Sequence, residues 1–109
     1  VGVSKPLTLR SGQHFEKAGD AEFYFQQILN GGELRVCLID DEHTAIDALF
    51  RDYCAATEWT MPGVPLGYFR DINRVNERIT KSFYVKYDRG EPDDFSYIKA
   101  VRAVANWKR

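Results

Sequence analysis

Ser82-Phe83-Tyr84-Val85-Lys86-Tyr87-Asp88-Arg89-Gly90-Glu91-Pro92-Asp93-Asp94-Phe95-Ser96-Tyr97-Ile98-Lys99-Ala100-Val101 decides how this chain is read. It opens as an alternating strand, with Phe83, Val85 and Tyr87 on one face and Tyr84, Lys86 and Asp88 on the other. β-branched and aromatic residues in strict alternation favour a half-buried strand. The Gly/Pro/Asp stretch then breaks the strand. Phe95-Ser96-Tyr97 leads into Ile98, Val101, Val104 and Ala105, whose spacing predicts a terminal helix ending near Trp107. Asp94 is a candidate cap for that helix.

Working outward, Gly67 to Thr80 fits a strand over its first half, because the strand at Ser82 can pair with it as a hairpin. Lys17 to Leu29 reads as a helix with Ala21, Phe25, Ile28 and Leu29 on its buried face, stopped by Asn30-Gly31-Gly32. Asp40 or Asp41 is the expected N-cap of a second helix reaching about Cys54, with Ala45, Ile46, Leu49, Phe50 and Tyr53 as its apolar stripe. Glu33 to Ile39 is a short strand or a connector, and Leu7, Leu9 and Phe15 suggest an early edge piece after a Pro-broken arm. Trp59 reads as a core plug or loop anchor. The expected fold is α+β: a small antiparallel sheet packed against two to three helices, in one domain spanning 1–109.

A chain of 109 residues with 44% hydrophobic and 14% aromatic content is large enough to bury a core. Its longest apolar runs fall far short of the roughly 18 residues that cross a bilayer, and no signal-peptide pattern opens it. With Cys37 and Cys54 its two cysteines, a reduced, cytoplasmic setting is the expectation, with no membrane partner. The net charge of −1 hides an asymmetry. Residues 1–66 carry five Lys/Arg against ten Asp/Glu, and residues 67–109 carry ten against six.

The motifs of phosphate loops, dinucleotide sites, zincins and nucleophile elbows are missing. His14, Cys37, His43 and Cys54 lack the close pairing of a zinc site. Asp40, Asp41 and His43 would be the ligands of a metal-dependent hydrolase, the third-ranked reading, but capping accounts for acids at a helix start. Asp88, Glu91, Asp93 and Asp94 read as a solvated turn. We therefore expect no catalytic residue, metal or cofactor.

Basic residues interleaved with aromatics make the stronger case. Arg70, Arg74, Lys81, Tyr84, Lys86 and Lys99 are the candidate nucleic-acid-binding residues, since exposed Tyr and Arg/Lys on a sheet face stack bases and track phosphates. The same residues also fit ordinary decoration of a half-exposed strand, and exposed aromatics equally suit a protein partner.

Gly19-Asp20-Ala21-Glu22-Phe23-Tyr24-Phe25-Gln26-Gln27-Ile28-Leu29, the acid-led helix from Asp41 to Tyr53, Ser82-Phe83-Tyr84-Val85 and Asp94-Phe95-Ser96-Tyr97-Ile98-Lys99 together resemble a known family. It is the DCL-like small domain, named after the plant "defective chloroplasts and leaves" protein, and the resemblance covers most of residues 14–101. Ile98 stands where that family commonly has Arg, Ala100 where it has Cys, and Asp88-Arg89-Gly90 replaces its Thr-Asp-Gly turn. The resemblance implies an α+β accessory domain close to RNA or DNA without catalytic residues. In plants the family is linked to plastid ribosomal RNA maturation and also forms the tail of an RNA polymerase large subunit. A non-catalytic, RNA-facing accessory module is thus the leading expectation, with a protein-interaction domain as its alternative.

Overall fold

The computed structural model describes residues 5–107, apart from the side chain of Val75. The start of the expected N-terminal arm, residues 1–4, lies outside them. Two short strands, β1 (Leu7–Thr8) and β2 (His14–Phe15), form a small antiparallel ladder. Helices α1 (Ala18–Asn30) and α2 (Asp40–Thr57) follow. A three-stranded antiparallel sheet, β3 (Pro65–Val75), β4 (Arg78–Tyr87) and β5 (Asp93–Phe95), is ordered as in the chain, and α3 (Tyr97–Ala105) closes the fold. This is the α+β architecture expected from the sequence. No described helix is long and apolar enough to cross a membrane.

The helices cover one face of the sheet, and period-2 alternation decides which residues meet them. Tyr68 pairs with Val85 and Arg70 with Phe83, and all four are buried against the helices together with Tyr87. The helical stripes supply the other half of the core: Ala21, Phe25 and Ile28 from α1, Ala45, Ile46, Leu49 and Phe50 from α2, and Ala100, Val101 and Val104 from α3. Phe50 is the hub, its ring centroid 5.0 Å from Phe95, 5.9 Å from Tyr68 and 6.4 Å from Tyr87. Beneath it, the Tyr68 hydroxyl donates to Asp47 Oδ1 at 2.6 Å, and Arg51 Nε donates to the same oxygen at 2.9 Å. Asp52, buried in α2, accepts from the Arg10 backbone N–H and from Arg10 Nε at 2.9 and 2.6 Å, which anchors the β1–β2 turn.

Helix ends depart from the expected caps. Ile39, with no side-chain oxygen, occupies the N-cap of α2, and Asp40, Asp41 and Glu42 lie in its first turn. They favour the positive end of the helix dipole without capping it. At α3 the cap is Ser96, whose hydroxyl oxygen accepts from the Lys99 backbone N–H at 3.3 Å. Asp94 instead accepts from Asn73 Nδ2 at 2.7 Å, and with Asp93 it belongs to β5, not to the preceding turn. Residues 33–39 are a connector stitched onto β3: Arg35 N–H donates to the Arg70 carbonyl and Leu38 N–H to the Tyr68 carbonyl, each at 2.7 Å.

β3 and β4 pair from Pro65↔Tyr87 to Val75↔Arg78, so the first strand runs beyond the first half of Gly67–Thr80 and the second begins at Arg78, ahead of the expected Ser82. Asn76 and Glu77 close it with φ of 49° and 67°, the two left-handed residues that a tight hairpin turn needs. β5 has three residues, so the helix-covered part of the sheet is three strands wide only near Phe83 to Val85.

Candidate functional site

The six candidate residues do not share a surface. Arg70 is the clearest correction. It is 5% exposed and faces the helices, because it sits two residues after Tyr68 on the same strand. Its Nε donates to the Ile28 carbonyl at 2.6 Å, and Nη2 meets Glu42 Oε1 at 3.2 Å. The guanidinium lies so close over Gly32 that a Cβ there would overlap it. Arg70 therefore ties the C-terminal end of α1 to the first turn of α2, and it cannot reach a nucleic acid. The alternation of Tyr68 and Arg70 carried this signal; the charge concealed it.

Tyr84 and Lys86 lie on the opposite, open face, as expected. Tyr84 stacks on Phe69 with centroids 5.4 Å apart and planes 14° apart. That pair is half-buried and already satisfied by itself. Asp71 and Asp94 flank it, and burial followed by these two carboxylates pushes the Tyr84 pKa up. Arg35 is paired with Asp71 at 3.2 Å, whereas Lys86 has no ion-pair partner among the described residues. The open face is mixed in charge, a poor track for phosphates.

Arg74 and Lys81 sit elsewhere again. On the helix-facing parity, Ile72 pairs with Lys81 and Arg74 with Ile79, beyond the reach of the helices, and all four are exposed. Arg78 is exposed beside the turn on the opposite parity. Arg10, Arg35, Arg51, Arg70, Arg89 and Arg102 are each ion-paired, with separations of 2.6–3.4 Å. Among the described residues Arg74, Arg78 and Lys81 have no such partner. The hairpin end is thus a two-stranded ribbon with unpaired cations on both faces and one acid, Glu77. Arg78 belongs to the same stretch of basic residues interleaved with aromatics but is not one of the six candidates.

Lys99 lies on the first turn of α3, at the rim of a cleft of ≈ 640 Å³ between the C-terminal half of α2, Trp59 and the β5–α3 junction. Phe50, Tyr53, Trp59, Tyr87 and Phe95 supply its aromatic lining, with Cys54 and Asp93 beside them. Trp59 meets Phe50 edge-on at 6.4 Å yet remains 47% exposed, a cleft wall and not a core plug. The buried Tyr87 hydroxyl has no well-formed hydrogen bond among the described residues, with the Asp93 carboxylate close by. Burial, then that carboxylate, pushes the Tyr87 pKa up. Burial likewise raises the Cys54 thiol to about 11, against a smaller opposing pull from Arg10 and Arg51. Such a thiol stays protonated near neutrality and is a weak nucleophile.

The metal reading finds no support in the geometry. Asp40 and Asp41 are exposed, whereas His43 turns inward to pack its ring 5.5 Å from that of Tyr68. No group of three or more His, Cys, Asp or Glu side chains converges to hold an ion among the described residues. Cys37 is exposed and Cys54 buried, and both are free thiols.

No family profile and no curated protein matches the chain. Among solved structures, the solution NMR structure of an uncharacterized protein from Rhodospirillum rubrum superposes with a TM-score of 0.69. It is 20% identical, and the match covers 88% of each chain. At that identity the likeness concerns the fold alone.

Proposed function

We propose that this domain is a non-catalytic accessory module that contacts nucleic acid, RNA in preference to DNA, through the projecting end of the β3–β4 hairpin. The observation that carries this reading is the set of cations there without an ion-pair partner among the described residues, Arg74, Arg78 and Lys81, whereas the other described arginines are engaged in ion pairs. Unpaired cations on a slender ribbon can approach phosphates on either side and release their counterions, which is the main sequence-independent source of affinity. The preference for RNA is supported by the resemblance of residues 14–101 to the DCL-like domain. Arg70 drops out of the contact set, and Arg78 joins it.

The test is a salt titration of binding to single-stranded RNA and duplex DNA oligomers. Three phosphate contacts imply that a fourfold rise in salt lowers RNA affinity about twentyfold. The triple variant Arg74→Gln/Arg78→Gln/Lys81→Gln should flatten that dependence while folding normally. Failure of the wild-type chain to bind either polymer at low salt ends this reading.

A second reading is favoured by Ile72 and Ile79, 39% and 58% exposed, which alternate with Arg74 and Lys81 on one face of the hairpin end. An apolar and basic strip of this kind fits an acidic protein surface. Here binding would survive high salt in part and be lost in Ile79→Ser.

A further inference from the structure

We propose that the aromatic cleft between α2, Trp59 and the β5–α3 junction is a binding site for one nucleotide, with the base on the aromatic wall and the phosphate toward Lys99. The choice of a nucleotide rests on the nucleic-acid reading above, but the site is built from residues that the hairpin does not use. At ≈ 640 Å³ the cleft is within the size range of small-molecule sites.

Elimination identifies the groups left for a ligand. Thr57 Oγ1 donates to the Tyr53 carbonyl at 2.8 Å, Ser96 Oγ accepts from Lys99 N–H, and Asp94 is bonded to Asn73. The lining still offers the Tyr53 hydroxyl, the Trp59 indole N–H, the Tyr87 hydroxyl, the Asp93 carboxylate and the Lys99 ammonium. Tyr87 is 4% exposed, and its hydroxyl lies beside the Asp93 carboxylate without a well-formed hydrogen bond among the described residues. Buried polar groups are nearly always satisfied in folded proteins, so such a hydroxyl among cleft-lining residues points to a ligand atom. Asp93 and Lys99 are both exposed and form no ion pair with each other among the described residues, so both are open to a ligand.

A purely anionic ligand would leave Asp93 opposed, and a purely cationic one would leave Lys99 opposed. A flat ring bearing N–H donors and an anionic arm satisfies both. Base N–H groups donate to Asp93, Tyr87 meets a ring acceptor, and the phosphate lies near Lys99. Trp59 supplies the stacking surface; its large, half-open indole is suited to holding an unstacked base. Cys54 does no chemistry in this arrangement, so the cleft binds without reacting.

The experiment is an NMR titration of the chain with each of the four ribonucleoside 5′-monophosphates, alongside ribose 5-phosphate and uridine. A saturable shift of the Trp59 indole N–H and of the amides of Asp93, Phe95 and Lys99 is the expected result. Trp59→Ala should weaken the tightest nucleotide about tenfold. Lys99→Gln should weaken that nucleotide but leave its nucleoside unchanged. Both substitutions are at the surface, so the fold persists. The proposal is overturned if no nucleotide gives a saturable shift at Trp59, or if ribose 5-phosphate reproduces the nucleotide shifts. The hairpin triple variant separates the two ideas. Nucleotide binding that persists while RNA oligomers fail to bind even the wild-type chain refutes the hairpin reading alone. RNA binding with a silent cleft refutes this inference alone.

Discussion

Arg70 donates through Nε to the Ile28 carbonyl at 2.6 Å, joining a core-facing row of the sheet to the C-terminal end of α1. The last carbonyls of a helix lack partners within it and carry the negative end of its dipole, so a buried cation there is favourable. Glu42, half-buried on α2, takes the other side of the guanidinium. One residue thus sets the positions of two helices against the sheet.

Removing that guanidinium should cost stability, not binding. Arg70→Met should lower the unfolding free energy by about 2 kcal/mol, since a buried charged hydrogen bond is lost and the Ile28 carbonyl keeps only its 3.3 Å bond from the Gly31 N–H. Gly32→Ala should cost about 1–3 kcal/mol by overpacking against the same group. The two should not add: with Met at position 70 the penalty at Gly32 should shrink toward zero. Urea unfolding of the two single variants and the double variant checks this.

The turn holds a second lever. Glu77 adopts φ of 67°, a conformation that costs a non-glycine residue about 1 kcal/mol. Glu77→Gly should therefore raise stability by about that amount and also remove the acid that lies beside Arg74, Arg78 and Lys81. RNA affinity should rise a few-fold, and the dependence on salt should steepen. A variant that is stabilised without tighter binding would count against the hairpin as the contact surface.

Alkaline pH should weaken the fold earlier than its buried tyrosines alone would suggest. The Cys54 thiol keeps its proton to about 11 when folded, against 9.0 for a free thiol. A raised folded-state pKa means that its contribution is fully present below pH 9.0 and is lost as pH rises toward about 11. The slope is at most about 1.4 kcal/mol per pH unit for one such group. Tyr68 and Tyr87 add to the decline above about 10, because both phenols are also pushed up by burial. In Cys54→Ala the fall should begin nearly one pH unit later. Urea midpoints measured from neutral to alkaline pH give the comparison.

Thiol labelling should divide the cysteines cleanly. Cys37 is exposed and should react with a small aromatic disulfide reagent at once, while buried Cys54 should wait for unfolding. Mass spectrometry of the native protein should find one label, at Cys37, and a second label should appear only in denaturant.

Much of the fold was legible in local pattern. The alternation of Phe83, Val85 and Tyr87, the stripe of Ala21, Phe25 and Ile28, and that of Ala45, Ile46 and Leu49 all face the core. The caps were harder to read. Asp40 and Asp94 are good capping residues, but Ile39 and Ser96 hold those positions, because sheet pairing and the connector place the helix starts. Among the site candidates, Arg70 was misread because its charge was weighted above its parity with Tyr68. The hairpin end that sets Arg78 beside Arg74 and Lys81 was not legible, because the turn at Asn76 and Glu77 lacks the usual glycine.

The opening stretch from Ser82 to Val101 shows where sequence stops and tertiary structure begins. By itself the sequence determined that Phe83, Val85 and Tyr87 share a face, that Tyr84 and Lys86 take the other, and that a helix starts near Tyr97. Period and propensity are properties of neighbouring residues, and neighbours suffice to set them. Which of those faces is covered depends on elements distant in the chain. Only packing decided that Arg70 would be enclosed by α1 and α2 while Arg74 and Lys81, on the same parity, would outrun them. Only packing brought Phe50 and Trp59 against Tyr87, Phe95 and Lys99, so that one strand end and one helix start became the wall of a cleft.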